Sequence, residues 1–287
     1  MKKTFIILTL LSVSLFQSCA QKAKGPKDFV VTIHTDHGDM VAVLFDETPK
    51  HKANFLKLAQ EGYFNDMLFH RVIQGFMIQG GDPDSKNAVA GQALGMGGPG
   101  YEIDAEFNPK FYHKKGALSA ARTGGPMNPM KKSSGSQFYI VQGQVVPAEQ
   151  IRYDYQKLNT GMSQLFQDPN YKPMFDSLLA LRNVGDVTAY NNKVMSLIPR
   201  VEKATGIQIA RSEEAVTAYS TVGGAPHLDG EYTVFGQVIK GLEVVDKIAA
   251  EPTTSERPVK DIRMTVTVEE MPRAEITKVY GYQYPTK

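Results

Sequence analysis

The sequence predicts a mainly β protein folded as a closed barrel, with an α-helical segment inserted into it. Three observations carry that expectation. Apolar residues recur with strand spacing in many short runs, glycine and proline mark the gaps between them, and helix periodicity outside residues 147–223 is confined to two stretches. Phe29 to Phe45 reads as a hairpin turning at Asp36 to Asp39. Thr48 then offers an N-cap, Pro49 suits the first helical turn, and Phe55, Leu56 and Ala59 form a stripe that stops at Gly62. Strands are expected at Leu68 to Ile73, Met77 to Gln79, Gly116 to Ala121, Gln137 to Gln142, Tyr232 to Ile239 and Asp261 to Glu269. A second helix fits Leu242 to Ala250, ended by Pro252.

Residues 147–223 differ in character. Ile151, Tyr155, Leu158, Met162 and Leu165 recur at helical spacing, as do Tyr190, Val194, Leu197 and Val201, and Ser212-Glu213-Glu214 opens a further helix. The stripes either bury against each other and the barrel or line a groove for a partner. The predicted organisation is therefore a barrel from 28–146 and 224–272, a helical insertion from 147–223 and a C-terminal tail from 273–287.

Residues 1–18 read as a secretory signal: Met1-Lys2-Lys3 precedes the apolar run Phe5 to Phe16, followed by Gln17-Ser18-Cys19. A cysteine after a small residue here resembles the lipoprotein signals of bacteria, in which that cysteine is lipidated and becomes the N-terminus. The alternative is an ordinary signal that happens to contain a cysteine. Cys19 is the only cysteine in the chain, so an internal disulfide is impossible. Residues 19–27, small and basic, would serve as a tether. This organisation implies an extracytoplasmic protein, lipid-anchored through Cys19 to a bacterial membrane and facing the periplasm. The net charge of +2 gives no case for nucleic acid, and removing Lys2 and Lys3 leaves the remaining chain formally neutral.

Four further motifs narrow the reading: FHRVIQGFMIQGGDP from Phe69, GALSAARTGG from Gly116, SGSQFYIV from Ser134 and HLDGEYTVFGQVIKG from His227. With the opening hairpin, Thr48-Pro49 and Asn54-Phe55, they resemble the cyclophilins, peptidyl-prolyl cis-trans isomerases. The resemblance implies a closed eight-stranded antiparallel barrel capped by two helices. It further implies that Arg71 is the catalytic donor and that Gln79 orients it. Phe76, Met77, Tyr139, Leu228 and Tyr232 would line the proline pocket, while Gln137 contacts substrate backbone. Ala121, Arg122 and Thr123 align with the segment that pairs with an extended peptide, where many relatives carry Ala-Asn-Ala. On spacing alone Arg71 could equally be a surface charge. His227 stands where relatives have a tryptophan that bonds cyclosporin, and this chain has no Trp. The implied sensitivity to that drug is weak.

Isomerisation requires no cofactor and no metal, because no group or electron is transferred. Other signals compete poorly: Gly95 to Gly100 satisfies G-x-G-x-x-G without a strand-to-helix setting, and His34 with His37 is too sparse for a metal site. Gly135-Ser136-Gln137 lacks the second glycine of a nucleophile elbow. The expected function is isomerisation of X-Pro bonds in proline-containing polypeptides folding outside the cytoplasm. Its rival is a chaperone-like module that holds clients in the groove and insertion, with isomerase activity incidental. No feature of the sequence specifies an oligomeric state.

Overall fold

The computed structural model describes residues 25–89 and 91–285; the signal at 1–18 and Cys19 lie outside the described residues. β1 (Lys27–Thr35) and β2 (Gly38–Leu44) form the opening hairpin, and α1 (Pro49–Gln60) follows. Next come β3 (Met67–Leu68), β4 (Arg71–Ile73), β5 (Met77–Gly80), β6 (Glu102–Ile103), β7 (Ala117–Ala120), β8 (Ser133–Ser134) and β9 (Phe138–Val141). Helices α2 (Ala148–Ile151), α3 (Tyr155–Phe166), α4 (Lys172–Asn183), α5 (Val187–Thr205) and α6 (Glu213–Thr221) intervene before β10 (Val234–Lys240) and α7 (Leu242–Ala249). The chain closes with β11 (Thr253–Thr254), β12 (Arg257–Pro258), β13 (Arg263–Pro272) and α8 (Arg273–Tyr280).

Nine strands form one curled antiparallel sheet in the order β3-β13-β1-β2-β10-β7-β9-β5-β4, rather than eight strands in a closed ladder. The reason lies in the strand expected at Leu68 to Ile73, which divides. Phe69 N donates to Ile262 O beside β13, whereas Val72 N donates to Glu256 O on the other side. Partners switch across Phe69-His70, so consecutive pieces of chain occupy the two edges of the sheet.

Alternation along the strands fills the interior. Val31, Ile33, Met40, Ala42, Leu118 and Ile140 are buried there with Phe55 from α1 and Val245 and Ile248 from α7. Phe55 meets the Phe138 ring edge-on, 5.3 Å between centroids. The residues expected to be a tail instead form α8, whose Ile276 is fully buried against Val30, Val41 and Val43 on the sheet's outer face.

The start of α1 departs from the sequence expectation. The Thr48 side chain makes no capping bond to the helix and its hydroxyl donates to Phe45 O. Glu106, from a distant loop, accepts from Lys50 N and His51 N at 3.0 Å each. Its carboxylate also lies 2.7 Å from His51 Nδ1, while His51 Nε2 is 3.0 Å from the Ser133 hydroxyl. Burial pushes His51 below its ordinary range, so the neutral ring donates from Nδ1 and accepts at Nε2.

The inserted helices bury a core of their own around Leu158, Leu165, Met174, Leu178, Leu197 and Val201. Tyr155, expected in the stripe, is exposed, and α4 was not anticipated. Ile151, Ala215, Val216 and Tyr219 pack against Tyr112 and Val146, joining the helices to the sheet. The two ends of the inserted stretch meet: Gln144 and Gly224 exchange backbone hydrogen bonds at 3.3 and 3.0 Å. A Cβ on Gly143, whose φ is +65°, would lie 2.3 Å from Gly224 Cα, so no larger residue fits that crossing.

Burial tends to raise the Glu106 pKa, but the hydrogen bonds from the His51 side chain and from the His51 and Lys50 backbone outweigh it and hold the carboxyl below its ordinary value. Its contribution to stability is therefore complete above the unfolded value of ~4.3 and is lost as pH falls through the lower folded value. Glu106→Gln should destabilise the fold by about 1 kcal/mol at pH 7, the usual worth of a cap. Denaturant unfolding of parent and variant should converge in midpoint on acidification.

Candidate active site: an arginine and glutamine relay beside an apolar pocket

The register of four strands builds the site. Arg71 pairs with Gln79 across β4 and β5, Gln79 pairs with Tyr139 across β5 and β9, and Tyr139 pairs with Ser119 across β9 and β7. Side chains alternate faces, so Val72, Ile78, Phe138 and Ile140 enter the interior while Arg71, Met77, Gln79 and Tyr139 stand on the opposite face. A second apolar cluster forms there: Met77, Ala121, Tyr139, Val141, Leu228 and Val234 are buried, with Phe76, Phe111 and Tyr232 half-buried against them.

Polar groups border this cluster in one directed chain. Arg71 Nη1 donates to Gln79 Oε1 at 3.3 Å, Gln79 Nε2 donates to Gln137 Oε1 at 3.1 Å, and Gln137 Nε2 donates to Gly97 O at 2.8 Å. Each amide therefore has one orientation. Arg71 Nε donates to Glu256 Oε2 at 2.6 Å, and the arginine side chain remains 39% exposed. Glu256 sits in the two-residue turn between β11 and β12, where Ser255 and Glu256 have φ of 49° and 67°. Such left-handed conformations in non-glycine residues are uncommon, and this one turns the carboxylate toward the arginine.

The structure thus brings Arg71, Gln79 and Gln137 into contact and gathers Phe76, Met77, Tyr139, Leu228 and Tyr232 beside them. Tyr139 and Tyr232 meet edge to face at 5.9 Å, and the His227 ring lies 5.4 Å from Phe76. Burial, with His113 and Arg211 adding, pushes His227 below its ordinary range despite Asp229. The Arg122 guanidinium lies 4.4 Å from the Tyr232 ring centroid, and its Nε donates to Glu231 O at 2.8 Å. Ala121 uses its N–H on Gln137 O and its C=O on Ser134 N. Among the described residues, the backbone N–H and C=O of Arg122 have no hydrogen-bond partner.

The glycine-rich run closes the rim. Asp82, fully buried, accepts from Gly95 N and Gly97 N, and a Cβ on Gly97 would fall 2.1 Å from Asp82 Oδ1. Gly97 O in turn receives Gln137, so the loop serves the relay. Clefts of about 580 and 1110 Å³ meet at Gln79, Gly95 and Arg122. His34 and His37 turn to separate partners, Asp39 and Glu251, and no group of three metal-ligating side chains occurs among the described residues. No helix among the described residues is long and apolar enough to cross a membrane.

Two features escaped the sequence reading. Glu256 lies in a Thr-Ser-Glu-Arg-Pro stretch that reads only as a turn, and Asp229 reads as part of the LDG motif without revealing its partners.

Residues 30–161 and 210–269 match the family described as cyclophilin type peptidyl-prolyl cis-trans isomerase/CLD. A putative bifunctional phosphatase/peptidyl-prolyl cis-trans isomerase of Streptococcus pyogenes serotype M6 is 34% identical over 245 residues, 83% of this chain but only 37% of that protein. A putative peptidyl-prolyl cis-trans isomerase of Staphylococcus saprophyticus is 32% identical over 235 residues, 80% of this chain and 86% of the relative. The crystal structure of a cyclophilin type isomerase of Cryptosporidium parvum has a TM-score of 0.48 and 22% identity, and the match covers 85% of this chain and 98% of that one. The chain belongs to the cyclophilin-type peptidyl-prolyl cis-trans isomerase family, an enzyme family of class EC 5.2.1.8.

Glu256 is an exposed partner of Arg71, so its removal should change folding stability by less than ~1 kcal/mol. Loosening the guanidinium should nonetheless matter for turnover. Glu256→Gln is expected to lower kcat/KM on a short X-Pro peptide about threefold, a modest loss of positioning, measured by NMR exchange alongside the thermal midpoint.

Proposed function

We propose that Arg71 is the hydrogen-bond donor that accelerates rotation about X-Pro bonds, acting on a proline ring held in the apolar pocket. The observation that carries this reading is the relay itself, which leaves a permanently charged, partly exposed guanidinium fixed at Nε and Nη1 beside buried Met77, Tyr139 and Leu228.

Rotation about the X-Pro bond is opposed by ~18–20 kcal/mol because twisting destroys amide resonance. As conjugation is lost, the lone pair returns to the prolyl nitrogen, which becomes pyramidal and a better acceptor. A donor aimed there stabilises the twisted state more than either planar isomer, which is the condition for catalysis. Four decades of acceleration need about 5.4 kcal/mol at 1.36 kcal/mol per decade. Gln79 prevents Arg71 from swinging out of reach, and the pocket removes water that would compete for the donor. The open N–H and C=O of Arg122 offer an extended substrate a backbone pairing site. Such pairing needs no particular side chain, so it tolerates Arg122 and Thr123 in place of Asn and Ala.

The complete eight-stranded closed barrel of the resemblance belongs to this reading as well: the edge strands β3 and β4 are separated by only two residues, so little displacement would join them. The signal-like residues 1–18 and Cys19 support a place of action outside the cytoplasm, with the domain tethered by lipid on Cys19 to a bacterial membrane and facing the periplasm. Two or more acyl chains would anchor it stably, where one holds only marginally.

Arg71→Ala should lower kcat/KM for X-Pro exchange by about two to three decades, the range for losing a principal transition-state donor, while circular dichroism stays unchanged. A parent-like rate contradicts the assignment. Cys19→Ala should release the protein from membranes and abolish incorporation of labelled fatty acid; a variant that stays membrane-bound contradicts the anchor.

A further inference from the structure

Asp229 follows Leu228 in the pocket-forming turn and gathers hydrogen bonds from three separate parts of the chain. The Tyr219 hydroxyl lies 2.7 Å from both of its oxygens, Arg211 Nη1 lies at 3.1 Å, and His113 approaches through its backbone N at 3.1 Å and Nδ1 at 3.0 Å. Tyr219 and Arg211 belong to the inserted stretch. Arg211 Nη2 also reaches Pro226 O at 3.1 Å and Asp154, the N-cap of α3, at 3.0 Å. Tyr219 and His113 are fully buried, while the side chains of Arg211 and Asp229 are only 11% and 14% exposed.

At Pro226 to Asp229 the rest of the turn's bonding is mostly local, and Arg122 holds only its Glu231-Tyr232 end. The turn's own bonds are short-range: Leu228 N to Ala225 O, Asp229 N to Pro226 O, and Glu231 N and Tyr232 N to Leu228 O. These fix its curvature without fixing where it sits over the pocket. Outside bonds come from Ala225 N to His113 O, from the Asp229 carboxylate, from Arg211 on Pro226 O and, at the far end of the turn, from Arg122 and Lys131 on Glu231. Burial and the neighbouring Asp229 push the Tyr219 hydroxyl well above its ordinary range, so it remains a donor at any working pH. Nothing in this arrangement reaches Arg71 or Gln79.

We propose that Arg211 and Tyr219 are positioning residues for the proline pocket, holding Leu228 and Tyr232 against Phe76 and Tyr139 by way of the Asp229 carboxylate. The inserted helices thereby set substrate affinity at a site whose donor chemistry they do not touch. This rests on the pocket reading above. Because the coupled residues grip the substrate and do not stabilise the twisted bond, loosening them raises KM and spares kcat.

The test uses the full chain, a short X-Pro peptide and three variants, Tyr219→Phe, Arg211→Leu and Arg211→Lys. Tyr219→Phe deletes one oxygen and leaves Asp229 paired, so it keeps the fold. It is expected to raise KM about fivefold, in keeping with the net worth of one typical hydrogen bond, with kcat within about twofold. Arg211→Leu should raise KM about tenfold, and Arg211→Lys should recover part of that loss through the retained charge. Peptide titration followed by NMR at the Leu228 methyls and the Tyr232 ring separates the two ideas. If the peptide fails to shift these signals in the parent, the pocket reading falls and the coupling with it. If the parent shifts them while Tyr219→Phe and Arg211→Leu keep the parent's KM, or lose only kcat, the coupling alone is overturned.

Discussion

The register of β4, β5, β9 and β7 is the constraint on which the site depends. Strand side chains alternate with period two, so a slip of one residue in β5 would place Ile78 where Gln79 stands and drive an amide into the interior. What prevents the slip is the packing of the far face. Phe138 is enclosed by Phe55, Phe64 and Phe69, and its neighbour Tyr139 is thereby committed to the pocket. Large aromatic rings on one side of a strand thus set the aim of polar groups on the other, and the relay from Arg71 to Gly97 inherits its order from an apolar core it never touches.

The electrostatics follow the same economy of means. Arg71 is only half withdrawn from water, so its ion pair with Glu256 adds little to folding and serves mainly to select an orientation. Deeper charges are treated differently. Asp229 and Arg211 are largely buried, and each has several partners, as buried ions require. Glu106, at the start of α1, completes a helix end that the local sequence leaves unfinished. In each case a carboxylate from one segment completes hydrogen bonding in another, and the segments become mutually dependent.

Much of the framework was legible in the residues. The opening hairpin, α1 and α7 follow from local periodicity and turn chemistry, and the motif around Phe69 to Pro83 carried both Arg71 and Gln79. The rest depended on partners far away in the chain. Thr48 has the right chemistry for a cap, yet its hydroxyl found Phe45 O, and a glutamate 58 residues later took the role. The run from Leu68 to Ile73 has uniform strand character, but its hydrogen bonds divide between Ile262 and Glu256. Glu256 could not be foreseen because the turn that presents it uses Ser and Glu where glycine or asparagine would have signalled a left-handed bend. Arg122 lies where both clefts meet, and the stacking of its side chain on the Tyr232 ring is a contact that spacing along the chain does not reveal.

The contact between Gly143 and Gly224 bears on how such a chain can change in length. Because the inserted stretch leaves and rejoins the sheet at one point, the sheet experiences it as a closed loop, and each doubling of a flexible loop costs only about 0.6 kcal/mol in closure entropy. The family match omits residues 162–209, which include α4 and α5 and lie far along that loop from its ends. Residues 211–224 are in the opposite position, since they carry Arg211, Tyr219 and the glycine crossing. Lineages could therefore lengthen or trim the distal helices with little thermodynamic resistance, provided a compact core remains, whereas the fourteen residues from 211 through the crossing would resist insertion or deletion.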